Sequence, residues 1–165
     1  MPARSPIFLA GVLAAALGRA QAATNSPPSG WVQIDARKFG FSVPPDVKSV
    51  PVQGIDSFLG EYKGTNISLA FDYGIFSDPL KHTGSPDFVS SVERIDGLTA
   101  RVVSFHNPGS GHAFDNAIGV HFAEVGGKER TWAGTNKLRL TVFATCKSTN
   151  DYETVRTIFG TIHFR

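Results

Sequence analysis

Thiol chemistry is all but missing from this chain. Its 165 residues hold one cysteine, Cys146. An intramolecular disulfide is therefore excluded, and so is any zinc or iron–sulfur site built from several thiolates. A surplus of charge is missing too. The 16 Lys and Arg stand against 14 Asp and Glu, and Arg4 and Arg19 fall in a leader expected to be removed. Without them the chain carries 14 residues of each sign. Overall charge thus provides no steering toward nucleic acid or an anionic membrane surface. Long apolar runs are also lacking. The run Ile7 to Leu17 has 11 residues, whereas a bilayer-spanning helix needs roughly 20. Finally, the chemical motifs G-x-S-x-G, H-E-x-x-H, G-x-x-x-x-G-K-[ST] and G-x-G-x-x-G are all absent, which removes the usual signatures of nucleophile elbows, zinc proteases, P-loops and dinucleotide folds.

What is present begins with an address. Arg4 supplies a positive start, Ile7 to Leu17 an apolar stretch, and Ala20-Gln21-Ala22 a small-residue cleavage site. Residues 1–22 are read as a secretory signal, leaving a mature chain that begins at Ala23 in the periplasm or outside the cell. No cysteine lies near the cleavage site to take a lipid. Residues 23–30, with Pro27-Pro28-Ser29-Gly30, have the composition of a flexible lead-in. Residues 31–165 are then one domain, long enough to build its own core.

Period-two alternation marks most of that domain as strand. Runs are expected at 31–35, 39–43, 57–63, 67–73, 89–95, 98–105, 118–122 and 137–146. Pro44-Pro45 stops the second run, and residues 44–56 read as an irregular connection. Asp96-Gly97 joins two runs and suits a type I′ hairpin turn, which needs positive φ at both central residues. In the 137–146 run, Leu138, Leu140, Val142, Ala144 and Cys146 share the apolar phase, and Arg139, Thr141 and Thr145 the polar one. Residues 74–87 and 106–116 read as long surface loops. Ser85-Pro86-Asp87-Phe88 could open a short second helix.

The clearest helix spans 150–159. Asn150 is the expected N-cap, with Glu153 three residues on, and Gly160 the expected C′ residue. Tyr152, Val155 and Phe159 follow helical spacing, with Ile158 beside them. A last strand, 161–164, follows. The fold class is α+β: a mostly antiparallel sheet with a C-terminal helix packed on one face.

Three segments, Phe39-Gly40-Phe41-Ser42-Val43-Pro44-Pro45, Ile95-Asp96-Gly97 and Asp151 to Phe164, together resemble the PsbP-like group of small α+β domains, which includes many secreted bacterial proteins without assigned activity. The resemblance frames residues 31–165. It implies a sheet with helical cover and a binding or assembly-accessory role, and it carries no catalytic motif onto this chain.

Two places hold candidate chemistry. His106, His112 and Asp115 lie in or beside a glycine-rich loop that could bring two nitrogens and an oxygen to a metal, although the same residues also read as a polar surface loop. Asp72, Tyr73, Phe76 and Asp78 combine aromatics and carboxylates just past a strand end, as binding loops often do. Asp56 and Glu61 could join Asp72 across neighbouring strands. His121 and His163 alternate with core residues and are expected on a second, partly exposed sheet face. Asn66-Ile67-Ser68 is a formal glycosylation sequon. The expectation is a secreted or periplasmic, non-enzymatic binding or accessory module whose partner is a protein or small molecule. It uses no cofactor, binds no nucleic acid and has no integral membrane segment in the mature chain. The alternative is a metal-assisted hydrolase working through His106, His112 and Asp115.

Overall fold

A computed structural model describes residues 26–54, 57–81, 84–109, 111–131 and 134–165. The expected leader lies outside the described residues, as do Asp56 and Trp132. Strands β1 (Val32–Asp35), β2 (Phe39–Val43), β3 (Lys48–Val50), β4 (Phe58–Lys63), β5 (Ile67–Gly74), β6 (Val89–Ile95), β7 (Leu98–His106), β8 (Asn116–Phe122), β9 (Lys128–Thr131), β10 (Gly134–Lys137) and β11 (Arg139–Cys146) precede helix α1 (Tyr152–Gly160) and strand β12 (His163–Phe164). Seven of them form one sheet in the order β3-β4-β5-β11-β8-β7-β6. Every neighbouring pair in it is antiparallel. A smaller layer, β1-β2-β12, and a β9-β10 hairpin complete the strands. The α+β class and the mainly antiparallel sheet are as expected.

Successive strand residues point to opposite faces, so the sheet has two distinct surfaces. On the first face lie Leu69 and Phe71 of β5, Leu140, Val142, Ala144 and Cys146 of β11, and Ile118, Val120 and Phe122 of β8, all buried. Helix α1 closes this face with Val155, Ile158 and Phe159, and β2 adds Phe39, Phe41 and Val43. Phe39 meets the Phe71 ring edge-on at 5.1 Å and stacks on Tyr73 at 6.0 Å. Such aromatic pairs add to what burial alone contributes. An exposed ion pair of 2.7 Å joins Arg156 of the helix to Glu93 of β6.

The Asp96-Gly97 turn forms as expected, with φ of 48° and 75° at its two residues and Ile95 paired to Leu98. The Asp96 carboxylate also accepts from the Phe164 N–H at 2.7 Å, tying the turn to the last strand.

Several local expectations are corrected. The connection after Pro45 contains β3, which pairs with β4. Lys137 belongs to the β9-β10 hairpin, which lies outside the strands that alternation marks, and β11 starts at Arg139 because the strand breaks at Leu138. A 3-10 turn, Thr149–Asp151, capped by Ser148, leads into α1, and Asp151 stands at the N-cap position of α1 expected of Asn150. Asp151, three residues beyond Ser148, accepts from the Ser148 N–H at 3.0 Å. That spacing offers the same reciprocal box as Asn150 with Glu153, and Ser148 already has the extended backbone a cap needs. Gly160 remains helical, and the C-cap is Thr161 in a right-handed conformation. Its hydroxyl donates to Ile158 O at 2.7 Å and accepts from Ser42 N at 2.8 Å, so the chain runs into β12 without a left-handed exit. The segment 85–88 is a turn, closed by Phe88 N donating to Ser85 O. No helix among the described residues is long and apolar enough to cross a membrane.

Candidate ligand-binding groove

The second face of the sheet is covered in part by a loop segment, where the first is closed by the helix. Its floor is set by register. Leu59 pairs with Asp72, Asp72 with Thr141, and Thr141 with His121, so these residues lie in one row across four strands. One step along, Ala70 pairs with Phe143 and Phe143 with Gly119. The segment Ile75 to Lys81, leaving β5, folds back over this floor. Its Leu80 packs with Val103, Phe105 and Ala117 in a small apolar cluster that also involves Phe88 and Phe143.

A hydroxyl and imidazole network pins that segment down. Ser77, fully buried, places Oγ 2.7 Å from Thr141 Oγ1 and 3.0 Å from Asp72 O. Thr141 Oγ1 donates to Asp78 O at 2.5 Å and meets His121 Nδ1 at 2.9 Å. Asp78 Oδ1 accepts from Leu80 N at 2.8 Å, and this local bond supports Leu80 at φ 48°, a conformation that leucine rarely adopts. Arg101 also donates to Pro79 O at 3.2 Å.

Between this segment and the loop after β7 lies a groove of about 390 Å³, within the range of about 300–1,000 Å³ typical of small-molecule sites. Leu80, Phe105 and Phe143 give it apolar walls, and Asp72, Asp78, Lys81, Asn107, His112 and Thr141 add polar groups. Burial raises the Asp72 carboxyl above its usual range, the nearby Asp78 charge raises it further, and a hydrogen bond from Ser57 works the other way. Asp72 Oδ1 is buried without a hydrogen-bond partner among the described residues. Burial, then Arg139 and Arg101, holds the His121 imidazolium at a lower pKa than usual.

The sequence candidates are divided by this arrangement. Asp72, Asp78 and His112 come together in the groove lining, with the His112 ring 5.7 Å from that of Phe143. Tyr73, one residue beyond Asp72, points to the opposite face by strand alternation and packs on Phe39 in the core. Phe76 stands 69% exposed on the loop, outside the lining. His106 is exposed at the end of β7, and its backbone N–H donates to the Asp87 carboxylate at 2.9 Å. Asp115 is exposed, and its carbonyl accepts from Asn107 N at 2.8 Å, closing the loop between them. No three His, Cys, Asp or Glu side chains among the described residues are grouped to hold a metal ion, so His106, His112 and Asp115 do not form the expected set. Glu61 shares the Asp72 face, opposite Ala70. His121 lies on the second face as expected, but it is buried rather than partly exposed because Thr141 and the Asp78 segment cover it.

Sequence reading missed Thr141, Phe143, Phe105, Leu80 and Lys81. Phe143 carried the available signal. It falls on the same phase as Arg139, Thr141 and Thr145, and an aromatic there marks a second face with apolar cover. Ser77, Thr141 and His121 have hydroxyl–imidazole spacing, yet Ser77 is 0% and Thr141 5% exposed. The Ser77 hydroxyl is closed off, and Thr141 Oγ1 is already engaged by Ser77, His121 and the Asp78 carbonyl, so the network is a latch for the loop.

The chain is thus an α+β domain with a lined groove on the side of its sheet away from the helix. No protein-family model matches it, and no curated protein sequence does.

Proposed function

We propose that this protein is an exported, non-enzymatic binding module, and that the second-face groove takes a small ligand with a largely apolar body. The groove itself carries the reading: apolar walls with a few polar groups, open to solvent, of a size that encloses a small molecule. The absence of catalytic motifs from the sequence and the burial of the Ser77–Thr141–His121 network favour binding over chemistry. Export rests on the three-part leader. Membership of the PsbP-like group belongs to the same proposal, supported by the order of the first strands, the Asp-Gly hairpin and the terminal helix followed by a strand. No grouping of side chains among the described residues favours the metal-assisted hydrolase.

The test is a screen of small aromatic and aliphatic compounds by protein NMR, comparing the wild type with Ala70→Phe. Ala70 lines the groove and is half-buried, so a ring there would fill the space while leaving the first-face core untouched. Hits should shift resonances of Phe105, Phe143 and His112 and disappear in the variant. Hits that persist unchanged in a folded Ala70→Phe protein would overturn the groove as the site. Mass spectrometry of exported protein should find a start at Ala23, and retention of residues 1–22 would refute the leader.

A further inference from the structure

We propose that the ligand of this groove carries a protonated amine on its apolar body, with the ammonium held by Asp72 and Asp78 and the body lying against Phe105 and Phe143. The inference rests on the reading of the groove as a small-ligand site and adds the ligand's chemical class. Asp72 reaches the groove because it is on the outward phase of β5, beside Ala70 and Thr141 in the register. A carboxylate only accepts hydrogen bonds, and its Oδ1 is buried with no donor among the described residues. Asp78 places a second carboxylate in the same lining, close enough to raise the Asp72 carboxyl by like-charge repulsion.

No ion pair among the described residues engages either carboxylate. The ion pairs among the described residues are Lys137–Glu124, Arg156–Glu93 and Arg165–Asp35, all away from the groove. Lys81 lines the groove and forms no ion pair with either carboxylate. An incoming ammonium would supply a counter-charge to both carboxylates and relieve the repulsion of Asp72 from Asp78. A neutral ligand leaves the like charges uncompensated, and an anion adds a third negative charge. The neighbouring Phe105 and Phe143 rings, 6.1 Å apart at their centroids, offer the apolar surface on which the rest of the ligand can lie. Their electron-rich faces also favour a cation close by.

Three compounds of one shape test this by NMR titration of the purified protein: 2-phenylethylamine, 2-phenylethanol and phenylacetate. The amine should bind roughly tenfold tighter than the alcohol, the step expected for one charge-assisted hydrogen bond in a partly buried site, and the acid should bind weakest. Asp72→Asn should bring the amine down to the affinity of the alcohol while leaving the alcohol unchanged. Asp78→Asn should do so in part. Thermal unfolding of Asp72→Asn at neutral pH should show a midpoint equal to or above wild type, since the change removes a partly buried charge. Equal affinity of amine and alcohol, both lost in Ala70→Phe, would overturn the amine and leave the groove standing. If none of the three compounds perturbs Phe105 or Phe143, the amine fails, and failure of the wider screen there as well refutes the groove.

Discussion

Leu80 occupies the space that a side chain at Gly119 would need. A Cβ built on Gly119 would lie 2.6 Å from Leu80 Cδ1 and 3.1 Å from Phe143 Cδ2. The missing methyl group on β8 therefore lets the segment after β5 settle onto the sheet and form one wall of the groove. Gly119→Ala should push Leu80 outward and destabilise the protein by about 1–3 kcal/mol, the usual cost of overpacking a closed site. Chemical denaturation measures the loss, and the NMR signals of the 75–81 segment should move with it. An alanine tolerated with no change in either would show that Leu80 does not depend on this gap.

Phe159 anchors the helix on the first face. It is 2% exposed and packs in the main core with Val155 and Ile158. Phe159→Ala should cost about 3–5 kcal/mol, combining lost transfer energy with the cavity left behind. Urea unfolding followed by circular dichroism reads this directly. A loss below about 0.5 kcal/mol would be that of a surface substitution and would place the ring outside the core.

Cys146 should be silent toward thiol reagents. It is fully buried on the inward phase of β11, and burial, with Asp151 adding repulsion, pushes its thiol up to about 12. The thiolate is the reactive form, and it is scarce at neutral pH for such a group. Labelling of native protein by a disulfide-exchange reagent should be slow, and rapid once denaturant is added. Fast native labelling, or a cross-linked dimer on a non-reducing gel, would place Cys146 at the surface.

His121 should make stability depend on mildly acidic pH. Its folded pKa is lowered by burial and by Arg139 and Arg101, with Asp78 acting against them. The unfolded chain takes up a proton near the ordinary value of about 6.5, where the folded chain resists it. The stability contributed by neutral His121 is therefore complete above about 6.5 and declines as pH falls from there toward the lowered folded value. Melting curves from pH 7.5 to 5.0 should show the wild type losing more than His121→Gln. Parallel curves would mean that the imidazole does not titrate against the fold.

Local pattern was enough for much of the architecture. Alternation in 67–73 and 137–146 identified both strands and the inward phase of Leu140, Val142, Ala144 and Cys146. Asp96-Gly97 specified its hairpin because few residue pairs tolerate positive φ twice in succession. Val155 and Phe159 declared their helix face by spacing alone. Where two local solutions had similar merit, pattern failed: Ser148 with Asp151 and Asn150 with Glu153 both offer a capping box, and the chain uses the first. The short strands β3, β9 and β10 are three or four residues long, too brief for periodicity to register.

The groove was half legible. Asp72, Asp78 and His112 stood out as residue types, and Tyr73 was grouped with Asp72 because they are adjacent in the chain, although adjacent strand residues face opposite ways. By itself the sequence determined which residues alternate, where the chain turns and which helix face is apolar, since these depend on neighbours within a few positions. Only the tertiary structure decided that β11 enters between β5 and β8. That pairing aligns Asp72, Thr141 and His121 in one row and sets Leu80 over Gly119. Those partners lie 20 to 69 residues apart in the chain, and a register shift of one residue would turn each strand's set to the other face. The convergence that makes a site belongs to the pairing of distant strands, which no local pattern encodes.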